Sequence, residues 1–146
     1  SRFVPTPLYG GRATYVYSTA VRDPENDQCA VGVIQIVFDA EPQFQAMLSD
    51  VLPRDEKKQI VSGSFGVFTD RRKTIISSTS PNYPVGSRLP LKDEMFQYEK
   101  GARDSTIVDL DGRTYALGLQ VSDGYREYKR GDGYVNDVVS MIFVPI

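Results

Sequence analysis

Tyrosine and arginine are the residues of this sequence that are best suited to bind a ligand. Residues 124–134 (GYREYKRGDGY) hold three tyrosines, two arginines, a lysine and an aspartate; Asp123-Gly124 begins at the residue before this segment and Asp132-Gly133 lies near its end. Tyrosine offers a stacking face with a hydroxyl, and arginine offers a two-pronged donor for carboxylate or phosphate. Together with residues that a folded sheet would bring alongside, the candidate ligand-binding set is Tyr83, Arg88, Tyr115, Asp123, Tyr125, Arg126, Tyr128, Asp132 and Tyr134.

These residues can be given roles towards a small charged ligand. A ligand carboxylate would pair with Arg88 or Arg126, and Arg113 is a further candidate anion anchor. A ligand ammonium group would meet Asp123 or Asp132, and the tyrosines would enclose the remainder. The alternative is that the tyrosines are half-buried sheet residues and that the Asp-Gly pairs only form turns.

Catalysis has little support in the composition. The sequence has no histidine and a single cysteine, Cys29, which removes histidine-based nucleophile systems and makes a zinc site improbable. We therefore predict no catalytic residue, no metal and no cofactor. Paired carboxylates such as Asp109 and Asp111 leave a carboxylate-dependent hydrolase as a third hypothesis.

Charge and hydropathy limit the partners. The net charge of -2 argues against a nucleic-acid binder, which usually gathers a basic excess on one face. No apolar run approaches the roughly 20 residues of a membrane-spanning helix. Because the sequence begins without methionine and stops inside an apolar run, it reads as a piece of a larger protein that would meet a membrane only through flanking segments.

The first part of the chain is predicted to form a long hairpin and a helix. Residues 14–21 and 30–38 are rich in β-branched and apolar residues, the second run reads as a buried strand, and a turn-forming string separates them. A helix over residues 39–52 would be capped by Asp39 and ended by Pro53. Five apolar residues share one face of that helix: Phe44, Met47, Leu48, Val51 and Leu52.

The remainder is predicted to be mostly hairpins. Asp111-Gly112 is the strongest turn signal in the chain. The predicted elements are strands at 64–69 and 74–78, a loop at 80–90, a short helix at 91–100, strands at 105–110 and 113–120, and a last strand at 136–145. Hairpin-connected strands with helices gathered on a face indicate an α+β fold around an antiparallel sheet.

The order of these elements resembles that of a Cache sensor module. The string SGSFGVFTDRRKTIISSTSPNYPVGSRLPL is similar to the opening of such a module, and STIVDLDGRTYALGLQ and NDVVSMIFVPI are similar to its remaining strands. CAVGVIQIVFD followed by a helix looks like the end of one sensor module continuing into the next. One departure is that Asp70-Arg71-Arg72-Lys73 lacks the usual glycine of the first turn. PAS and GAF domains share similar meanders.

The resemblance implies a PAS-like, Cache antiparallel β-sheet with flanking helices and a small-ligand pocket between the sheet and its covering loops. Residues 83–88 and the strands carrying Tyr115, Tyr125 and Tyr134 would face that pocket. Such modules commonly lie outside the bacterial cytoplasmic membrane in chemoreceptors, sensor kinases or cyclic-dinucleotide enzymes, and bind amino or organic acids.

The expected organisation is a single sensor-like domain over residues 1–146, with residues 61–146 as its core and residues 1–39 as the possible end of a preceding module. The expected function is non-catalytic sensing of a small metabolite. A second copy of the chain is a further expected partner, in a homodimer. The expected location is extracytoplasmic, with a cytoplasmic location as the alternative. The rival hypothesis is a structural or dimerisation module without ligand, in which the helix at residues 39–52 supplies the self-association surface.

Overall fold

The protein has an α+β fold of antiparallel sheets with one α-helix, as the sequence predicts. The computed structural model describes residues 2–122 and 138–146. The chain divides into two compact units, Ser1–Glu41 and Pro42–Ile146. The elements are β1 (Arg2–Pro5), β2 (Ala13–Asp23), β3 (Asn26–Phe38), α1 (Glu41–Asp50), β4 (Phe65–Thr69), β5 (Ile75–Ser78), β6 (Arg103–Leu110), β7 (Arg113–Val121) and β8 (Val139–Pro145), with 3-10 turns at Pro7–Tyr9 and Asp93–Phe96.

The first unit is a three-stranded antiparallel sheet in the order β1-β2-β3. The long hairpin is present, but the prediction that residues 30–38 form a buried strand is wrong. Every residue of β3 is exposed except Val37, which is half-buried; Ile34 is 57% and Ile36 63% exposed. An apolar run shows that a strand favours burial, but it cannot show whether a covering layer lies within the same chain.

The second unit is a five-stranded antiparallel sheet in the order β5-β4-β8-β7-β6. Because side chains alternate across a strand, β7 turns Tyr115, Leu117, Leu119 and Val121 to one buried face. The registers place Phe65 opposite Phe143 and Leu117 opposite Phe143 on that same face. Side chains from the connection between β5 and β6 complete this core: Tyr83, Leu89, Leu91 and Phe96.

Helix α1 packs on the opposite face of the sheet. A Cβ atom built at Gly66 would lie 3.1 Å from Leu48 Cδ2, and the rings of Phe44 and Phe68 meet edge to face at 5.5 Å. The predicted apolar face is only partly used. Leu48 and Leu52 are buried, whereas Met47 and Val51 are exposed.

The helix predicted over residues 91–100 is wrong; only the 3-10 turn Asp93–Phe96 forms there. Two basic side chains of the β4–β5 turn take backbone carbonyls of this segment. Arg71 donates to the carbonyls of Phe96 and Tyr98, and Lys73 Nζ donates to Leu91 O at 2.7 Å. The carbonyls of Leu91 and Phe96 would accept hydrogen bonds within a helix over residues 91–100, so these contacts favour an irregular, tethered segment.

Two turns depend on left-handed backbone conformations. Asp111 (φ 51°) and Gly112 (φ 77°) form the predicted tight turn between β6 and β7. Lys73 (φ 71°) occupies the fourth position of the turn between β4 and β5, where the resemblance to Cache modules leads us to expect glycine. Its ammonium group also pairs with Asp93, so tertiary contacts offset the strain that a non-glycine residue accepts there. The predicted start of the last strand, at residue 136, lies outside the described residues.

Candidate functional site

A cleft of about 230 Å³ opens in the second unit where three segments meet. These segments are residues 63–65 at the start of β4, residues 79–83 after β5, and the first residues of β7. The lining residues are Gly63, Ser64, Phe65, Thr79, Ser80, Pro81, Asn82, Tyr83, Arg113 and Tyr115. The cleft is therefore built from two strand ends and a loop.

Aromatic rings form the apolar part of the cleft. Phe65 stacks on Tyr83 with ring centroids 5.0 Å apart and on Phe143 at 4.4 Å. Tyr115 meets Phe65 edge to face at 5.6 Å. These offset and perpendicular arrangements are the ones that aromatic quadrupoles favour. The rings thus join the cleft directly to the hydrophobic core, which fixes its shape.

The loop wall is anchored to the hairpin turn between β6 and β7. Tyr83 donates its hydroxyl proton to Asp111 Oδ2 at 2.6 Å. Burial, then the hydrogen bond to Asp111, then the charges of Asp111 and Tyr115 raise the pKa of Tyr83 well above its usual value. The Tyr83 hydroxyl therefore stays protonated to a higher pH than an exposed tyrosine, and its hydrogen bond ties the loop at residue 83 to the hairpin turn.

We expect Tyr83→Phe to lower the free energy of unfolding at pH 7 by about 1.5–3 kcal/mol, the range for a hydrogen bond to a charged group. Because the folded-state pKa lies above the unfolded value of 10.0, this contribution is fully present below pH 10 and is lost as the pH rises above it. Urea unfolding of both proteins between pH 7 and pH 11 measures the difference.

The control is Tyr115→Phe, because no hydrogen bond of the Tyr115 hydroxyl occurs among the described residues. It should be less destabilising at pH 7 than Tyr83→Phe. A gap between wild type and Tyr83→Phe that stays constant up to pH 11 would contradict the anchoring role.

The polar groups of the cleft include the cationic side chain of Arg113. Among the residues that the structure describes, no ion pair includes Arg113, whose side chain is exposed at the cleft. Its Nη1 lies 3.2 Å from the position of a Cβ built at Gly63, which has φ +82°. Ser64 Oγ is buried and has no hydrogen-bond partner among the described residues. A bound anion would meet the exposed guanidinium first and would reach the Ser64 hydroxyl only after a local shift, because that oxygen is buried.

The wall formed by residues 79–83 is tied to the sheet and to helix α1. Gly66 N donates to Thr79 Oγ1 at 2.9 Å, and Thr79 N donates to Gly66 O at 3.0 Å. Gln45 Nε2 of α1 donates to Ser78 O at 2.9 Å. The residue that directly precedes this wall is therefore bonded to a side chain of the helix on the other face of the sheet.

Of the nine predicted ligand-binding residues, the structure brings Tyr83 and Tyr115 together in this cleft. Arg88 is exposed and is not among the lining residues; its backbone pairs with Thr74, and its charge contributes, after Lys73, to lowering the pKa of Asp93. The other six predicted residues lie outside the described part of the chain: Asp123, Tyr125, Arg126, Tyr128, Asp132 and Tyr134.

The sequence predicts Arg113 as an anion anchor but gives no reason to select Ser64 or Asn82 for the site. Ser64 carries no local signal, because its importance comes from a buried hydroxyl that only the tertiary structure reveals. Within residues 2–122 and 138–146, no group of three or more histidine, cysteine, aspartate or glutamate side chains could hold a metal ion. None of the described helices is long and apolar enough to cross a membrane.

Comparisons with known proteins give a likeness of fold. No protein-family model and no curated protein matches the chain. A similar solved structure is the crystal structure of the extracellular domain of rpHK1S-Z16, a protein assigned as a histidine kinase, with a TM-score of 0.59 and 11% sequence identity. The match covers 100% of this chain and 52% of that chain, so this chain spans about half the length of the neighbour. The chain therefore shares its α+β fold with an extracellular domain of a signalling protein.

Proposed function

We propose that this chain is a non-catalytic, Cache-type sensor domain of a bacterial signal-transduction protein, and that it binds a small amino or organic acid in the cleft at Arg113. The observation that carries the proposal is the guanidinium of Arg113, which has no carboxylate partner among the described residues. The Ser64 hydroxyl, which also lacks a partner among those residues, and the rings of Tyr83 and Tyr115 line the same cleft. The fold likeness to an extracellular domain of a histidine kinase supports the proposal and an extracytoplasmic location.

The ligand would act by joining three segments. A carboxylate held by Arg113 and Ser64 would connect β7 to the start of β4, and Asn82 would add a contact from the loop. Phe65 faces the cleft, while the next residue, Gly66, packs against Leu48 of α1 on the other side. A ligand that favours one arrangement of β4 therefore biases α1, and the size of that bias equals its difference in affinity for the two arrangements.

A thermal-shift screen with amino acids and small organic acids, together with native mass spectrometry of the purified chain, tests the proposal. A ligand at about 100 times its Kd stabilises the folded state by about 2.7 kcal/mol, which gives a rise of several degrees in Tm. The expected result is at least one stabilising acid or a retained small molecule. A chain that is empty in the mass spectrum and that no compound stabilises would favour the structural module instead.

We further propose that the first unit, including residues 1–39, forms the closing strands of a preceding module. The exposure of β3 supports this second proposal: its apolar side chains Val31, Val33 and Ile36 are each more than 60% exposed. A three-stranded sheet with exposed apolar residues on its last strand lacks a covering layer of its own. In the sensor protein, that layer would come from the preceding module.

Hydrogen exchange of the 146-residue chain tests this organisation. Backbone amides of β2 and β3 are expected to exchange at least about a hundredfold faster than those of β7 and β8, because strands with few buried contacts open at lower free energy. Mass-spectrometric exchange of peptic peptides gives both rates in one sample. Equal protection of the two sheets would show that the first unit is stable by itself and would contradict the proposal.

A further inference from the structure

Strand β6 forms one outer edge of the five-stranded sheet. Among the described residues it pairs only with β7, and the register runs without a shift from Arg103↔Gln120 to Leu110↔Arg113. The opposite edge, β5, is covered by the following loop, because Ile75 N donates to Ser87 O and Gly86 N donates to Ile75 O, each at 2.8 Å. The β6 edge has no such cover within residues 2–122 and 138–146.

The turn fixes which backbone groups of β6 face outward. In a hairpin with a two-residue turn, the pair that flanks the turn exchanges backbone hydrogen bonds, and such pairs alternate along the ladder. Leu110 and Arg113 flank Asp111-Gly112, so the even-numbered residues of β6 bond to β7. The odd-numbered residues direct their N–H and C=O groups away from the sheet: Arg103, Ser105, Ile107 and Asp109.

The sequence of β6 is complementary to itself in one register. If two copies align antiparallel about Thr106, Arg103 of each strand lies opposite Asp109 of the other, and Ser105 lies opposite Ile107. These are all odd-numbered residues, so the outward backbone groups face one another as hydrogen-bonded pairs. The two Thr106 residues meet at the centre, and opposite charges and paired threonines across strands are both stabilising.

The exposure of three side chains of β6 allows these contacts. Arg103 is exposed and forms no ion pair among the described residues, and Ile107 is 66% exposed. Asp109 is exposed and accepts one hydrogen bond, from Thr114 Oγ1 at 2.7 Å, which leaves its second carboxylate oxygen for a guanidinium. A second copy would satisfy the outward backbone groups and cover Ile107.

We propose that β6 is a pairing edge for a second copy of this chain, which produces a two-fold dimer with one continuous ten-stranded sheet. The proposal does not depend on ligand binding in the cleft. An eight-residue strand pair is small compared with a standard interface, so the dimer is weak and depends on protein concentration. Its function would be to place two sensor units side by side.

Charge reversal tests the register. Sedimentation velocity of the 146-residue chain is measured from micromolar to millimolar concentration for wild type, Arg103→Asp, Asp109→Arg and the double variant. Each single change places like charges opposite each other at two sites and is expected to weaken dimerisation at least about tenfold, and the double variant should restore it to within about threefold. Circular dichroism confirms that each variant is folded.

Three results would overturn the proposal. One is a monomer at every concentration, and another is a dimer that the single reversals leave unchanged. The third is a dimer lost in Met47→Asp but kept in Arg103→Asp, because this result would place the interface on α1, where Met47 is 50% exposed. That outcome would support the alternative helix surface named in the sequence analysis.

Disulfide trapping gives an independent readout that does not need a strong dimer. In a Cys29→Ser background, Thr106→Cys places two thiols at the centre of the register, where Cα atoms are about 4.5 Å apart, within the range of a disulfide. Asp104→Cys is the control, because two copies of that residue lie four positions out of register, about 13 Å along the strand. Cross-linking is expected for Thr106→Cys alone, and equal or absent cross-linking of the two variants contradicts the register.

Discussion

Replacing Phe143 with alanine is expected to lower the free energy of unfolding by about 3–5 kcal/mol, the usual loss for a buried aromatic side chain. Phe143 is 0% exposed, stacks on Phe65 at 4.4 Å and meets Tyr115 edge to face at 5.9 Å. Its removal leaves a cavity beneath the cleft and takes away two ring contacts that hold the cleft residues in place. Urea unfolding followed by circular dichroism gives the change in free energy.

The matched control is Phe68→Ala, since Phe68 is half-buried on the opposite face and contacts the ring of Phe44. It should lose about half as much stability, because less of its ring leaves water on folding. Any ligand found for the cleft should also bind more weakly to Phe143→Ala than to Phe68→Ala. Equal losses in the free energy of unfolding would show that the stacked rings under the cleft contribute no more stability than the ring of Phe68.

The sequence predicts the hairpins and their order well because the signals are local. Asp111-Gly112 specifies a two-residue turn through its left-handed conformations, and the strands predicted at residues 105–110 and 113–120 on either side of it are present as β6 and β7. The helix after β3 is also predicted, although only Leu48 and Leu52 of its five apolar positions are buried.

Interactions between distant residues account for the failures. The apolar pattern of residues 91–100 predicts a helix, but Arg71 and Lys73, about 20 residues earlier in the chain, take the carbonyls that a helix would use. Ser64 lines the cleft only because the fold brings the loop after β5 and the start of β7 beside it. In both cases the deciding contact is set by tertiary structure, which no short sequence window contains.

Arg113→Ala is expected to weaken binding of an acid identified in the ligand screen by about tenfold to a hundredfold. Hydrogen bonds to a charged group contribute about 1.5–3 kcal/mol, and each 1.4 kcal/mol is a factor of ten in Kd. Arg113→Lys should lose less than Arg113→Ala but should not restore wild-type affinity, because an ammonium group cannot make the two-pronged contact. Isothermal titration calorimetry measures all three proteins.

Arg88→Ala separates this cleft from the site that the sequence alone suggested. Arg88 is an exposed arginine outside the cleft lining, so its removal lowers the positive charge by the same amount without touching the proposed contact. Unchanged affinity in Arg88→Ala, with loss in Arg113→Ala, places the ligand carboxylate at β7. The reverse pattern would move it to the surface beside Asp93 and Lys73. Equal small losses in both would indicate long-range attraction only, which higher salt would abolish.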